Sequence, residues 1–214
     1  MTSNQVMACM WLQIKELLFG KNIFIKIRAH PCGRAFDIIE NMLVRKDELT
    51  TKNLVLKPFE DEDKNALISL LENHLVKRTY MCPNFKDENE KEKCFLRLKE
   101  ISLKKDKFFY GIYLNKSLIG FINEVHAEND MIELGYLITP NEWNKGYATE
   151  ALSASISELF RIGFQVVECG HFEENPASGK VMQKCGMKKI EKTEMIDYAG
   201  KQHLCIYYCI ENKI

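Results

Sequence analysis

The hydrophobic and polar positions of this chain change period several times, and each change marks an expected element. Residues 53 to 59 and 107 to 114 carry apolar and aromatic side chains at strand spacing. Residues 117 to 125 follow, with Asn115-Lys116 as a hairpin turn. Met131 to Thr139 is a further strand-like run, stopped by Pro140. The period then lengthens: Ala148, Ala151, Leu152, Ser155, Ile156, Leu159 and Phe160 recur at three- and four-residue spacing, one face of a helix, and Gly163 stands where a left-handed cap would end it. Helices are also expected near 61 to 76, 88 to 103 and 176 to 185, and a strand at 165 to 172. Two last strands, near 188 to 196 and 202 to 210, turn through Tyr198-Ala199-Gly200. This order predicts a mixed α/β sheet, mostly antiparallel, with one crossover helix at its centre. Ahead of it, Met7, Met10, Trp11, Ile14, Leu17 and Leu18 form an amphipathic stripe, and residues 23 to 27 suit a short strand.

The junction Trp143-Asn144-Lys145-Gly146-Tyr147-Ala148-Thr149-Glu150 lies between strand and helix. Such a loop exposes unpaired backbone N–H groups at the positive end of a helix dipole, a setting that favours an anion. Gly146 and Ala148 leave room for a diphosphate, and Asn144 tolerates positive φ. An ordinary strand-to-helix turn would satisfy the same letters. No G-x-x-x-x-G-K-S/T loop and no G-x-G-x-x-G turn is present, which disfavours a nucleotide-phosphate binder.

Composition narrows the picture modestly. The 214 residues include 30 basic and 30 acidic side chains, so the balance points to neither nucleic acid nor membrane. The N-terminal apolar run is broken by Gln13, Lys15 and Glu16, unlike a signal peptide or a span. Eight cysteines are scattered without metal-ligand spacing, so free thiols in a reducing cytoplasm are expected and no metal.

The loop resembles motif A of the GNAT N-acetyltransferases, Arg/Gln-x-x-Gly-x-Gly/Ala. Trp143 departs from the first position in the manner of the RimJ/RimL branch. Thr51 to Phe59 with the acidic run Glu60 to Asp63, Glu133-Leu134-Gly135-Tyr136, Asn175-Pro176-Ala177-Ser178, Lys184-Cys185-Gly186-Met187, and Asp197-Tyr198 with Gly200-Lys201 resemble the other segments of that branch, in its order. The resemblance covers residues 51 to 214. Residues 1 to 50 are left as an extension, and Met42 stands near where such proteins begin, so residues 1 to 41 are expected to contribute nothing to catalysis.

The resemblance implies a V-shaped splay between two central strands with acetyl-CoA in the gap. Its pantetheine would pair with the backbone of Leu137, Ile138 and Thr139. Its diphosphate would sit on the segment from Trp143, Asn144, Lys145, Gly146, Tyr147 and Ala148 to Thr149, with Asn175 fixing the loop and bonding the pantetheine. A neutral amine must attack the thioester, so its proton needs an acceptor. Glu133, Glu124 or a water chain are the candidates. The tyrosine that often protonates the departing thiolate in this family is replaced by Met182, and Ser178 matches the serine proposed for that work in the RimJ/RimL pattern. Ser178 could equally be a helix-start serine that touches CoA. The implied acceptor is a protein α-amino group or a small-molecule amine, the implied assembly a monomer or homodimer. The alternative is a non-catalytic acyl-CoA-binding module.

Overall fold

A computed structural model describes residues 44–213. The amphipathic stripe, the strand at 23 to 27, Met42, Cys9 and Cys32 lie outside the described residues. Among the described residues eight strands form one sheet in the order β1-β2-β3-β4-β5-β6-β8-β7. They are β1 (Leu49–Thr50), β2 (Leu54–Lys57), β3 (Phe109–Leu114), β4 (Ser117–Glu128), β5 (Met131–Ile138), β6 (Val166–Phe172), β7 (Lys188–Tyr198) and β8 (Lys201–Glu211). Every neighbouring pair is antiparallel except β5 with β6. That is the mixed, mostly antiparallel sheet expected from the chain.

Local chemistry explains the turns. Asn115 and Lys116 both take positive φ, 49° and 69°, as a two-residue turn matched to strand twist requires. Ala199 and Gly200 do the same, at 50° and 77°, between β7 and β8.

Among the described residues five helices cover the sheet: α1 (Lys64–Glu72), α2 (His74–Lys77), α3 (Glu88–Leu103), α4 (Tyr147–Arg161) and α5 (Pro176–Lys184). The single helix expected over 61 to 76 is divided. Asp61–Asp63 forms a 3-10 turn, and the helix breaks at Asn73, whose extended backbone lets its side chain accept from the amides of Leu75 (2.9 Å) and Val76 (3.4 Å). A local cap has overridden the apolar period there. Helix α4 ends as its sequence predicted. Gly163 has φ 113°, and the amide of Phe164 reaches the carbonyl of Leu159.

Alternation along the strands divides the core in two. On one face, Leu54, Leu56, Ile112, Ile132, Leu134 and Val167 pack beneath Ala151, Leu152, Ile156 and Leu159 of α4 and Met182 of α5. On the other, Phe109, Phe121 and Leu137 meet Leu67, Ile68 and Leu71 of α1 and Phe95 and Ile101 of α3. A smaller cluster of Met81, Phe172, Ile196, Cys205 and Tyr207 fills the end nearer β7 and β8.

Residues 44–50, assigned above to the extension, are built into this fold. Leu49 belongs to the core and β1 pairs with β2. Arg45 is 2% exposed, and its guanidinium donates to the carbonyls of Lys107 (2.6 Å), Lys46 (3.1 Å) and Ser102 while lying 4.1 Å over the Tyr110 ring. A buried guanidinium is tolerated only when its donors are matched, and here three carbonyls match them. Replacing Arg45 with Ala leaves those carbonyls without their donor. We expect Arg45→Ala to lower unfolding free energy by about 3 kcal/mol, measured by urea denaturation.

Candidate functional site

The two central strands part midway. β5 and β6 pair from Met131 with Val166 to Leu134 with Cys169. Beyond that point β5 continues to Ile138 bonded only to β4, and β6 to Phe172 bonded only to β8. This is the V-shaped splay that the resemblance implied, and among the described residues it leaves facing strand edges without a partner.

The register decides which backbone groups line the gap. The amide of Thr139 donates to the carbonyl of Ile119 at 2.7 Å, and a Cβ at Gly120 would lie 2.1 Å from the carbonyl oxygen of Leu137. Leu137 and Thr139 are therefore turned toward β4. Antiparallel pairing alternates direction, so Tyr136 and Ile138 present their main-chain groups to the gap. Of the expected trio only Ile138 qualifies, and its carbonyl already accepts the Trp143 indole N–H at 2.6 Å. Its amide remains for a ligand. The clearance at Gly120 also shows why that strand position carries no side chain.

Past Ile138 the chain makes a short 3-10 turn, Pro140–Glu142, then enters α4 through Asn144 at φ 61° and Gly146 at φ 89°. The first intrahelical bond is that of the Glu150 amide to the Gly146 carbonyl, 3.0 Å, so the amides from Lys145 to Thr149 lie ahead of it. Among the described residues, and its two chain neighbours aside, no atom approaches within 4 Å of a Cβ placed on Gly146, which leaves open space over these donors. The helix end is held in place by Glu150. One carboxylate oxygen accepts from the Thr51 hydroxyl (2.6 Å) and the Asn53 amide (2.7 Å), the other from the Asn53 side chain (2.8 Å).

On the α5 side of the gap, Ser178 is half-buried in the first helical turn, its amide bonded to the Asn175 carbonyl at 3.1 Å. Asn175 sits at the helix cap, without a side-chain cap bond, and its amide reaches Phe172. The hydroxyl of Tyr136 lies 2.8 Å from Ser178 Oγ and 3.1 Å from the Ser178 carbonyl oxygen. Nothing in the sequence signalled this contact, because the two residues are 42 positions apart. Met182, one turn further along α5, is fully buried in the core.

Glu133 lies on the opposite face of β5 and is 5% exposed. Burial raises its carboxyl to about 7, with Lys192 opposing the rise and Glu168 and Glu194 adding to it. Lys192 bonds Glu168 at 2.9 Å and lies 4.1 Å over the Tyr207 ring, whose hydroxyl donates to Glu194 at 3.2 Å. Burial likewise raises the Tyr207 phenol. These neighbours come from β6, β7 and β8, which a local pattern does not bring together. Glu124, the other candidate base, is engaged elsewhere. Its carboxylate accepts from Lys107 Nζ (2.6 Å) and the Phe108 amide (2.9 Å) beside the β4 bulge. Both of its oxygens are thus engaged in holding the Lys107–Phe108 segment, just ahead of β3, to β4.

The geometry and the family comparison agree. Residues 53–188 match the family model of the acetyltransferase (GNAT) domain, and the chain belongs to that family. It is therefore an acetyl-CoA-dependent acetyltransferase. A curated relative, an uncharacterized N-acetyltransferase YoaA of Bacillus subtilis (strain 168), is 29% identical over 147 residues, covering 66% of this chain and 82% of its own. Among solved structures, a GNAT-family acetyltransferase from Bacillus anthracis shares the fold with a TM-score of 0.65 at 22% identity, over 77% of this chain and 98% of that one. RimL, a ribosomal L7/L12 alpha-N-protein acetyltransferase solved in complex with coenzyme A, does so with a TM-score of 0.63 at 16% identity, over 76% and 96%.

Glu150 ties the start of α4 to the β1–β2 turn, so its loss should loosen the loop more than the core. We expect Glu150→Ala to cost about 1–2 kcal/mol in thermal or urea unfolding, with faster hydrogen exchange at residues 145–149 than elsewhere.

Proposed function

We propose that the protein transfers the acetyl group of acetyl-CoA to a primary amine, either a protein N-terminal α-amine or a small-molecule amine, by direct attack on the thioester. One observation carries this reading. The unpaired edge of β5 runs straight into the free amides of α4, so a single extended ligand could pair with the strand and place its diphosphate on the helix. RimL, whose fold is shared, was solved with coenzyme A and acts on a protein α-amine. The residues assigned to the donor are the amides of Tyr136 and Ile138 on β5, the amides of Lys145 to Thr149, and Asn175 and Ser178 on the facing helix. Trp143 and Asn144 shape the loop.

In the proposed reaction Glu133 accepts the proton of the attacking amine, directly or through water. Its burial keeps the carboxyl poised near neutrality, where it can accept a proton without being a weak base. An amide on the open β5 edge would receive the developing negative charge on the thioester oxygen. Ser178 would hydrogen-bond the departing sulfur.

Titration calorimetry with coenzyme A tests the donor site. Binding is expected for the native protein, and Gly146→Val should weaken it at least about 10-fold, because a side chain would enter the space over the amides. No heat from the folded native protein would overturn the reading. Turnover is checked by thiol release from acetyl-CoA with a panel that includes a dipeptide bearing a free N-terminus and spermidine. Coenzyme A binding without turnover on any amine would favour the acyl-CoA-binding module, for which the replacement of the family's tyrosine by Met182 speaks.

Glu133 must be deprotonated to act, so kcat/KM should rise with pH, bend near 7, where its carboxyl titrates, and level off above. Glu133→Gln should lower kcat about 100-fold and remove that bend. A retained acidic limb in the variant would assign the proton transfer to water or another group.

A further inference from the structure

We propose that Tyr136 is a positioning residue for the leaving sulfur, aiming the Ser178 hydroxyl into the gap; this rests on the acetyl-transfer reading above. Tyr136 stands on β5 two residues past the last β5–β6 pair, with its ring packed against the main core. Its hydroxyl meets both oxygens of Ser178, Oγ at 2.8 Å and the carbonyl at 3.1 Å. A phenol has one proton to give. Donated to the carbonyl, it leaves the phenol oxygen as an acceptor that draws the Ser178 proton away from the gap. Donated to Oγ, it turns the Ser178 proton outward and strengthens it as a donor, because hydrogen bonds in a chain polarise one another. The second arrangement serves a thiolate.

The chemistry balances as follows. The amine nitrogen forms the new C–N bond, and its proton passes to Glu133. The thioester C–S bond breaks and its electron pair goes to sulfur. The sulfur leaves as a thiolate held by the Ser178 O–H, itself held by Tyr136, and takes a proton from solvent on release. Burial keeps the Tyr136 phenol well above the usual tyrosine range, so it stays a neutral donor throughout. The position one turn along α5 offers no alternative donor, since Met182 has no dissociable proton and is fully buried.

The test uses Tyr136→Phe, which keeps the ring and removes the hydroxyl, with the dipeptide and spermidine as acceptors. With acetyl-CoA, kcat should fall about 10- to 100-fold, the loss of one hydrogen bond to a charged group, while the calorimetric affinity for coenzyme A is unchanged. With acetyl-seleno-CoA, whose selenolate is a better leaving group, the ratio of native to variant kcat should shrink toward one. Ser178→Ala should show the same dependence on the donor, and the double variant should be no slower than Ser178→Ala alone. Equal losses on thioester and selenoester, an unchanged kcat on acetyl-CoA, or additive effects in the double variant would overturn the assignment while leaving acetyl transfer intact. A native protein that binds coenzyme A but turns over neither donor would overturn both. Should the phenylalanine variant fold poorly, Ser178→Ala still decides: a loss that ignores the donor removes the serine, and with it Tyr136, from the leaving-group step.

Discussion

A parallel pair of strands satisfies its backbone groups only while the two chains stay in register, and in this protein β5 and β6 stop doing so after Leu134 and Cys169. Most of the site follows from that parting. Each strand keeps a partner on its outer side, β4 for β5 and β8 for β6, so the sheet survives and only the inner edges are released. An exposed strand edge is ordinarily a hazard for unwanted pairing. Here it is short, lies inside the domain, and is bounded by the Trp143 indole on the Ile138 carbonyl and by Ser178 with Tyr136 on the other side.

A helix N-terminus attracts an anion only as strongly as its amides are held in one place, since moving donors would have to be ordered on binding. Helix α4 is fixed at both ends by carboxylates to the chain that enters the sheet. Glu150 binds Thr51 and Asn53. Glu158, 3% exposed, accepts from the Lys46 amide at 2.8 Å and from Arg161 at 2.7 and 2.6 Å. Burial pushes the Glu158 carboxyl up, but the Arg161 guanidinium and the Lys46 amide outweigh it and hold it below the usual carboxylate range. The segment from Arg45 to Asn53 thus braces the helix that carries the loop, although it stands about 100 residues ahead of it in the chain.

Where pattern and chemistry are local, the chain is legible. Asn115-Lys116, the α4 stripe with Gly163, and the strand-to-helix loop with Asn144 and Gly146 are set by neighbours in sequence, and the structure follows them. The apolar period runs on past the end of α1 because one polar side chain, Asn73, binds its own backbone in the midst of it. Strand β1 is not legible because two residues carry no period at all, and two of the three carbonyls that hold Arg45 lie more than 50 positions away. The candidate bases show the same limit. Glu133 and Glu124 look equivalent in the sequence, and only the register, with a bulge beside Glu124 and β6 to β8 around Glu133, separates a pinned carboxylate from one that burial raises to about 7.

That register also sorts the proposed chemistry by face. Odd positions of β5 near the splay, Glu133 among them, point to the side where Glu168, Lys192 and Glu194 gather, and even positions, Tyr136 among them, to the side of α4 and α5. A thioester carbon lying in the gap would have a proton acceptor on one side of the strand and a proton donor on the other. Attack on a carbonyl and departure of its leaving group occur from different directions, so a single strand edge can serve both if its side chains alternate as these do. Shifting β5 by one residue would exchange the faces, bringing Glu133 to the sulfur and the phenol to the amine. In the proposed reaction the pairing of β5 with β4, from Gly120 with Ile138 to Glu128 with Met131, would therefore be a chemical constraint as much as a structural one.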